Sequence, residues 1–201
     1  MKHYYPTFDE FRGLAERGNI IPVYRQLLSD ALTPVEAYQR LARPTGFAAS
    51  KHAFLLESVV GGERVARYSF VGADPEMVFT ARRDRITVDR PGSPSEEIVS
   101  SDPLKELDTL MRTYRAVRLP GLPPFTGGLV GYAAYDLVRY YERLGEGPID
   151  DRNIPDLVFG LYRTMVIFDH VSKTIKVVAN AHVTGDPGPA YNQALAAVER
   201  T

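Results

Sequence analysis

Capping residues followed by apolar side chains at helical spacing predict helices in four segments of the chain. In "TFDEF", Thr7 stands three residues before Glu10, which is the spacing of a capping box, and an apolar stripe begins at Phe8. Three more helices are predicted to begin after Thr33, after Asp102 or Ser101, and within the final "PGPAYNQALAAVERT". These signals are local, so they predict where helices begin and which side of each helix is apolar.

Between these helices the chain is rich in β-branched and aromatic residues, which is typical of strands. Four segments show this pattern: "HAFLLESVV", "ARYSFVGA", "EMVFTARRDRITVDR" and "GLYRTMVIFDHVSKTIKVVANA". The last segment predicts an antiparallel hairpin with its turn near Val171 to Lys173. Strands and helices do not alternate as repeated βα units. The sequence therefore predicts an α+β fold with largely antiparallel sheets and flanking helices.

The stretch "FTGGLVGYAAYDLVRYYE" puts three glycines before what looks like the start of a helix, a pattern that phosphate-binding loops share. A P-loop has Lys and Ser or Thr directly after its last glycine, but Tyr132 follows Gly131. A structural role is therefore favoured. Gly127 and Gly128 permit a bend or bulge, Gly131 allows another backbone to approach, and Asp136 caps the following helix.

Composition narrows the classes of function. The 201 residues carry 24 Lys and Arg against 25 Asp and Glu, and a net charge of -1 disfavours nucleic acid and anionic membranes as partners. The absence of cysteine excludes disulfides, thiolate metal sites and a cysteine nucleophile, and four scattered histidines predict no metal site. No apolar run is long enough for a signal peptide or a spanning helix, so we expect a cytoplasmic protein.

Four ordered blocks of the sequence resemble the N-terminal domain of the anthranilate synthase component I family. The blocks are "AFLLESV", "RYSFVGADP", "FTGGLVGYAAYDLVRYYE" and "PDLVFGLYRTMVIFDHVSKTIKVVANA". The segment "NIIPVYRQLLSDALTPVEAY" also resembles the family, so the likeness runs from about Asn19 to Ala181. Several blocks in the family's order make this a more specific signal than a single glycine motif.

The resemblance implies that the complete enzyme converts chorismate and ammonia or glutamine to anthranilate and pyruvate, in tryptophan biosynthesis, with Mg²⁺. It also implies a glutamine amidotransferase subunit, component II, as partner. In the family, the chorismate and Mg²⁺ sites lie in a C-terminal domain that we expect to be absent from this chain. Residues 1–201 are then a single N-terminal regulatory-type domain with no catalytic residue, metal site or cofactor, inactive without its C-terminal domain.

The family's N-terminal domain binds L-tryptophan as a feedback inhibitor, partly through its "LLES" strand. Carried over, this implies that Leu56 contacts the indole ring, Glu57 the ammonium group, and Ser58 the edge of the site. Pro22 matches another position of that pocket, and Arg67 is a candidate partner for the carboxylate. From the residues alone, "FLLESVV" also fits an ordinary buried strand, and Arg67 a structural ion pair.

The sequence is also compatible with two other functions. The homologous aminodeoxychorismate synthase component of folate synthesis uses the same substrate, and "LLES" with the glycine stretch favours the anthranilate branch over it. A stand-alone amino-acid-binding or interaction module without a catalytic half is the alternative of a different class.

Overall fold

A computed structural model describes residues 3–29, 32–42, 52–57, 67–145 and 149–201. The helices are α1 (Phe8–Leu14), α2 (Pro34–Ala42), α3 (Pro103–Met111) and α4 (Pro187–Arg200), with a 3-10 helix at Tyr135–Tyr140. The strands are β1 (Ile20–Leu28), β2 (Ala53–Glu57), β3 (Tyr68–Ala73), β4 (Met77–Arg82), β5 (Arg85–Asp89), β6 (Glu96–Val99), β7 (Gly128–Ala133), β8 (Leu157–Tyr162), β9 (Thr164–Asp169) and β10 (Thr174–His182).

The predicted helix starts are confirmed at the atomic level. The Glu10 carboxylate accepts from the backbone N–H of Thr7 at 2.8 Å. At α2, Thr33 Oγ1 accepts from the N–H of Glu36 at 3.2 Å while Glu36 accepts from the N–H of Thr33 at 3.0 Å. Each pair satisfies backbone donors that the first turn of a helix leaves without a partner. At α3 the cap is Asp102, whose carboxylate accepts from the N–H of Lys105 at 3.1 Å.

The chain folds as two compact units. The first comprises Met1–Pro75, Tyr114–Gly128 and Tyr162–Thr201, and the second comprises Glu76–Thr113 and Leu129–Leu161. The prediction that residues 1–201 form a single N-terminal regulatory-type domain stays a prediction.

The first unit contains a five-stranded sheet in the order β1-β10-β9-β3-β2. All four pairings are antiparallel. Alternate residues of these strands pack with side chains of α1, α2 and α4 in one apolar cluster, so we call this side of the sheet the helix face. Buried members of the cluster include Phe11, Ile21, Val23, Val71, Val166, Phe168, Ile175, Val177, Tyr191 and Val198.

The second unit contains a five-stranded sheet in the order β6-β5-β4-β8-β7. Its pairings β4 with β5, β4 with β8 and β5 with β6 are antiparallel. Phe79 is fully buried opposite the buried Val88 of β5, and it also lies opposite Phe159 of β8. The α+β fold class with antiparallel sheets and flanking helices is therefore confirmed.

The predicted β9–β10 hairpin is confirmed, because β9 ends at Asp169 and β10 begins at Thr174. Lys173 in this turn has a φ of 52°. The first apolar run of the hairpin segment, however, contains two strands. The first strand, β8, ends before Arg163 and the second, β9, begins after it, and the two strands belong to different sheets. Periodicity did not indicate this break, because apolar residues continue on both sides of it.

Candidate functional site

The candidate effector residues Leu56 and Glu57 end β2, which is an edge strand of the first sheet. Leu56 lies opposite Phe70, and Glu57 lies opposite Ser69. Successive side chains of a strand point to opposite faces, so Glu57 lies on the helix face and Leu56 on the other. Leu56 is 47% exposed, and Glu57 is exposed as well. Among the described residues, no strand pairs with the outer side of β2.

The hydrogen-bond pattern of β2 directs backbone groups of Glu57 toward this open edge. The N–H of Asp74 donates to the carbonyl of His52 at 3.2 Å, which makes these two residues a hydrogen-bonded pair. Such pairs alternate along an antiparallel ladder, so Leu56 bonds to β3 while the N–H of Glu57 points outward. An unpaired strand edge is a ready hydrogen-bonding surface for a ligand. A small zwitterion at this edge would meet a carboxylate, a backbone donor and an apolar side chain.

The Glu57 carboxylate is held from within the sheet. Ser69 Oγ lies 3.3 Å from Glu57 Oε1 and 2.7 Å from His170 Nε2. Ser69 is completely buried, whereas His170 is only half-buried at the end of β9. Sequence reasoning missed both residues. The only signal was a serine among the aromatic residues of "RYSF", at a strand position that faces the core.

Arg67 forms a two-point ion pair with the buried Asp169. Its Nε donates to Oδ1 at 3.1 Å and its Nη2 to Oδ2 at 2.9 Å, and the guanidinium carbon lies 5.0 Å from the ring centre of Tyr68. Burial alone raises the pKa of Asp169, but hydrogen bonds from Arg67 and Ser172 outweigh it and hold that pKa well below its usual range. This geometry fits the structural interpretation of Arg67, and its role toward a ligand carboxylate stays a prediction.

The structure says less about the other two candidate residues, Pro22 and Ser58. Pro22 is buried in β1, opposite Asn180, and the register puts it on the same face as Leu56. Three strands lie between β1 and β2 in the sheet, so the sheet does not make Pro22 a neighbour of Leu56. Ser58 lies outside the described residues. The ligand-binding roles of both residues stay predictions.

The glycine stretch shapes the fold as its sequence suggested. Gly127 has a φ of 152°, and a Cβ there would clash with Asn180 Nδ2 and lie 2.9 Å from the carbonyl oxygen of Tyr162. A Cβ on Gly131 would clash with the carbonyl oxygen of Val158. Both positions are therefore restricted to glycine by close packing.

The predicted capping role of Asp136 is wrong. The residue before the 3-10 helix is Ala134, and no side chain caps that end. Asp136 instead accepts from Arg139 Nε at 2.9 Å, one turn further along the same helix. A favourable ion pair with a residue three positions away outcompetes the backbone donors for this carboxylate.

In the second unit, Tyr140 is a polar anchor that the sequence did not reveal. Its hydroxyl lies 2.7 Å from Asp156 Oδ2 and 2.8 Å from the carbonyl oxygen of Arg83, which has a φ of 52°. Burial, together with the hydrogen bond to Asp156, raises the pKa of Tyr140 well above its usual range. This anchor fastens the 3-10 helix to the β4–β5 turn.

No helix in the described ranges combines the length and the apolar character needed to cross a membrane.

Comparison with known proteins identifies a family. The family described as chorismate binding enzyme matches residues 51–201. Anthranilate synthase component 1 of Acetivibrio thermocellus is 37% identical over 197 residues, which cover 98% of this chain and 38% of that protein. The alpha subunit 1 of anthranilate synthase from Oryza sativa subsp. indica, a chloroplastic protein, is 42% identical over 83% of this chain and 30% of its own length.

The fold has a solved counterpart. The crystal structure of anthranilate synthase component I from Streptococcus pneumoniae is similar with a TM-score of 0.53 and 25% sequence identity. The likeness covers 87% of this chain and 35% of that one. The chain thus spans between 30% and 38% of the length of these proteins.

Proposed function

The chain belongs to the chorismate binding enzyme family, and we propose that it is the tryptophan-sensing part of an anthranilate synthase component I. The complete enzyme converts chorismate and ammonia or glutamine to anthranilate and pyruvate, in the biosynthesis of tryptophan. A glutamine amidotransferase, component II, is its partner and supplies the ammonia. The named relatives support this branch of the family over the aminodeoxychorismate branch.

The observation that carries the sensing role is the open edge of β2. Glu57 offers a carboxylate for the ammonium group of an amino acid, and its outward backbone N–H is a donor for the ligand carboxylate. Leu56, which is 47% exposed, presents an apolar side chain to the indole ring from the other face of the strand. Because these groups lie on both sides of one edge strand, a ligand lying along the edge reaches all of them.

The family resemblance implies that the chorismate and Mg²⁺ sites lie in a C-terminal domain, and this chain matches only 38% and 35% of the length of two of its relatives. In the described ranges, no three His, Cys, Asp or Glu side chains lie together as ligands for a metal ion. Asp150, one of two adjacent acidic residues, is bound to Arg82 at 2.8 Å. We therefore expect the purified chain alone to produce no anthranilate from chorismate and ammonia. A chorismate-dependent rise in anthranilate fluorescence from this chain would contradict that expectation.

The sensing role is tested by inhibition of the complete enzyme. L-tryptophan should inhibit anthranilate formation, and Glu57→Gln should raise the inhibitory concentration about tenfold or more, because a charge-assisted hydrogen bond is lost. Glu97→Gln is the matched control, since Glu97 is an exposed strand residue of the other sheet. If the wild-type enzyme is insensitive to L-tryptophan, or if Glu57→Gln and Glu97→Gln respond alike, the proposed role of β2 is wrong.

The branch of the family is tested by the product. Anthranilate is fluorescent and has lost the pyruvyl group, whereas aminodeoxychorismate retains it. Release of pyruvate in equal amount to the aromatic product supports the anthranilate branch, and a product that keeps the pyruvyl group supports the folate branch.

A further inference from the structure

Three polar side chains lie in a row on the helix face of the first sheet, and we call them the Glu57 triplet: Glu57, Ser69 and His170. Ser69 stands in the middle, 3.3 Å from Glu57 Oε1 and 2.7 Å from His170 Nε2. The strand register brings them together, since Glu57 lies directly opposite Ser69. Because Ser69 is 0% exposed, water does not substitute for either contact.

The number of hydrogen atoms fixes the direction of the bonds in the triplet. A serine hydroxyl has one hydrogen to donate, and an ionised carboxylate only accepts. Ser69 must therefore donate to Glu57, and its oxygen must accept a hydrogen from His170 Nε2. Donors thus point from His170 through Ser69 toward Glu57, and each bond in such a chain polarises and strengthens the next.

This arrangement is not that of a hydrolase triad. In such a triad the histidine lies between the serine and the acid and removes the serine proton. Here the serine lies between the two other groups, and its complete burial leaves no access for a substrate. A supporting role toward the carboxylate remains, because Glu57 is the exposed end of the row.

The far end of the row is fixed by the backbone. The N–H of His170 donates to the carbonyl oxygen of Arg67 at 2.9 Å, which extends the β3–β9 ladder by one residue. The neighbouring Asp169 is bound by Arg67 at two points. The backbone that carries the imidazole is thus held by the sheet, and the imidazole itself is held by its contact with Ser69.

We propose that Ser69 and His170 are positioning residues for the ammonium group of an amino-acid ligand, which they serve by orienting Glu57. The triplet uses Oε1 of Glu57, and in the described part of the chain Oε2 makes no hydrogen bond. Oε2 is then the oxygen that receives the ligand ammonium. This inference rests on the proposed function, because it assumes that Glu57 meets a ligand.

The test compares two ligands of the complete enzyme by equilibrium binding. L-tryptophan carries the ammonium group, and 3-(indol-3-yl)propionic acid lacks it but keeps the ring and the carboxylate. Ser69→Ala and His170→Leu should weaken L-tryptophan binding about tenfold and leave binding of the propionic acid unchanged. In a Glu57→Gln background the same substitutions should have no further effect on L-tryptophan, because the group they orient is gone.

Two variants separate positioning from loss of structure. His170→Gln keeps an N–H donor on a side chain of similar reach, and it should restore most of the affinity that His170→Leu loses. Ser93→Ala removes a hydroxyl from an exposed turn of the second unit, and it should bind both ligands like the wild type. If Ser69→Ala does not fold, the comparison of His170→Leu with His170→Gln decides the question.

The outcomes distinguish this inference from the proposed function. Equal weakening of both ligands by Ser69→Ala and His170→Leu, or full effects in the Glu57→Gln background, would overturn the positioning role while tryptophan sensing stands. Failure of the wild-type enzyme to bind L-tryptophan would overturn the proposed function, and the positioning role with it. Selective weakening of L-tryptophan supports both.

Discussion

Arg67 neutralises a buried carboxylate, that of Asp169, through two parallel hydrogen bonds of 3.1 and 2.9 Å. The two sides of this pair differ in environment, since the Asp169 side chain is 3% exposed and that of Arg67 is 43% exposed. A buried carboxylate without its partner is costly, whereas an exposed guanidinium regains water when the pair is broken. Removing Arg67 should therefore destabilise the folded state mainly through the unpaired carboxylate of Asp169.

We expect Arg67→Met to lower the melting temperature of the protein by several degrees at pH 7, because it leaves a buried charge without a partner. Arg12→Met is the matched control, since Arg12 forms an exposed ion pair with Asp9 and surface pairs contribute little. Thermal unfolding followed by circular dichroism measures both variants. Equal melting temperatures for the two variants would show that the pair does not stabilise the first unit.

The same pair predicts a dependence of stability on pH. The pKa of Asp169 is lower in the folded state than in the unfolded state, so the folded state binds this proton less readily. The stabilisation is present above the unfolded pKa of about 3.9 and is lost as the pH falls below it. Asp169→Asn should therefore lose less stability than the wild type as the pH falls from about 5 to about 2, the range in which carboxylates titrate. Parallel pH profiles for the two proteins would contradict this assignment.

Gly131→Ala should destabilise the second unit by about 3 kcal/mol, because the added methyl group would clash with the carbonyl oxygen of Val158. Backbone atoms of a neighbouring strand cannot rotate away as a flexible side chain can. Gly13→Ala is the control, since nothing lies within 4 Å of a Cβ there and alanine favours the helix α1 that contains it. Chemical denaturation should show a loss for the first variant and no loss for the second.

Local signals in the sequence predicted the helices and strands. They did not predict contacts between residues that are distant in the sequence. The Thr7 and Thr33 caps were predictable because each partner lies three residues away. The packing role of Gly131 was also predictable, because glycine in an apolar strand indicates a close approach of backbones. The approach of Val158 to this glycine, by contrast, depends on how β7 and β8 are ordered in the sheet.

In the candidate site as well, some residues were predicted from the sequence and others were found only in the structure. Leu56 and Glu57 were singled out through the family resemblance, and the structure added that they end an edge strand. Ser69 and His170 were missed because they are 101 residues apart in the chain and meet only through the pairing of β3 with β9. A strand register cannot be derived from periodicity alone, since every residue on one face fits the same pattern.

Tyr140→Phe should lower the free energy of unfolding by about 2 kcal/mol, because it removes a hydrogen bond to the Asp156 carboxylate. Tyr135→Phe is the matched control, since Tyr135 belongs to the same 3-10 helix and is 93% exposed. Urea denaturation compares the variants. Identical midpoints for Tyr140→Phe and Tyr135→Phe would mean that the hydroxyl of Tyr140 does not anchor the helix.

The raised pKa of Tyr140 predicts loss of stability in alkali. Burial and the hydrogen bond to Asp156 favour the neutral phenol in the folded state. Its contribution is therefore present below the unfolded pKa of about 10 and declines as the pH rises above that value. Absorbance at the phenolate band should show a late-ionising fraction of the tyrosines, and that fraction should be smaller in Tyr140→Phe than in the wild type.

Ser58→Phe should relieve tryptophan inhibition of the complete enzyme while leaving chorismate turnover largely intact. The family resemblance assigns this residue to the edge of the tryptophan site, so a bulky ring there should compete with the indole. Ser93→Phe is the control, because Ser93 is an exposed turn residue of the second unit, far along the chain from Glu57. Inhibition curves for L-tryptophan, with anthranilate fluorescence as the readout, distinguish the two variants. Undiminished inhibition in Ser58→Phe would exclude Ser58 from the effector site, and loss of turnover together with inhibition would indicate a general structural defect instead of a blocked site.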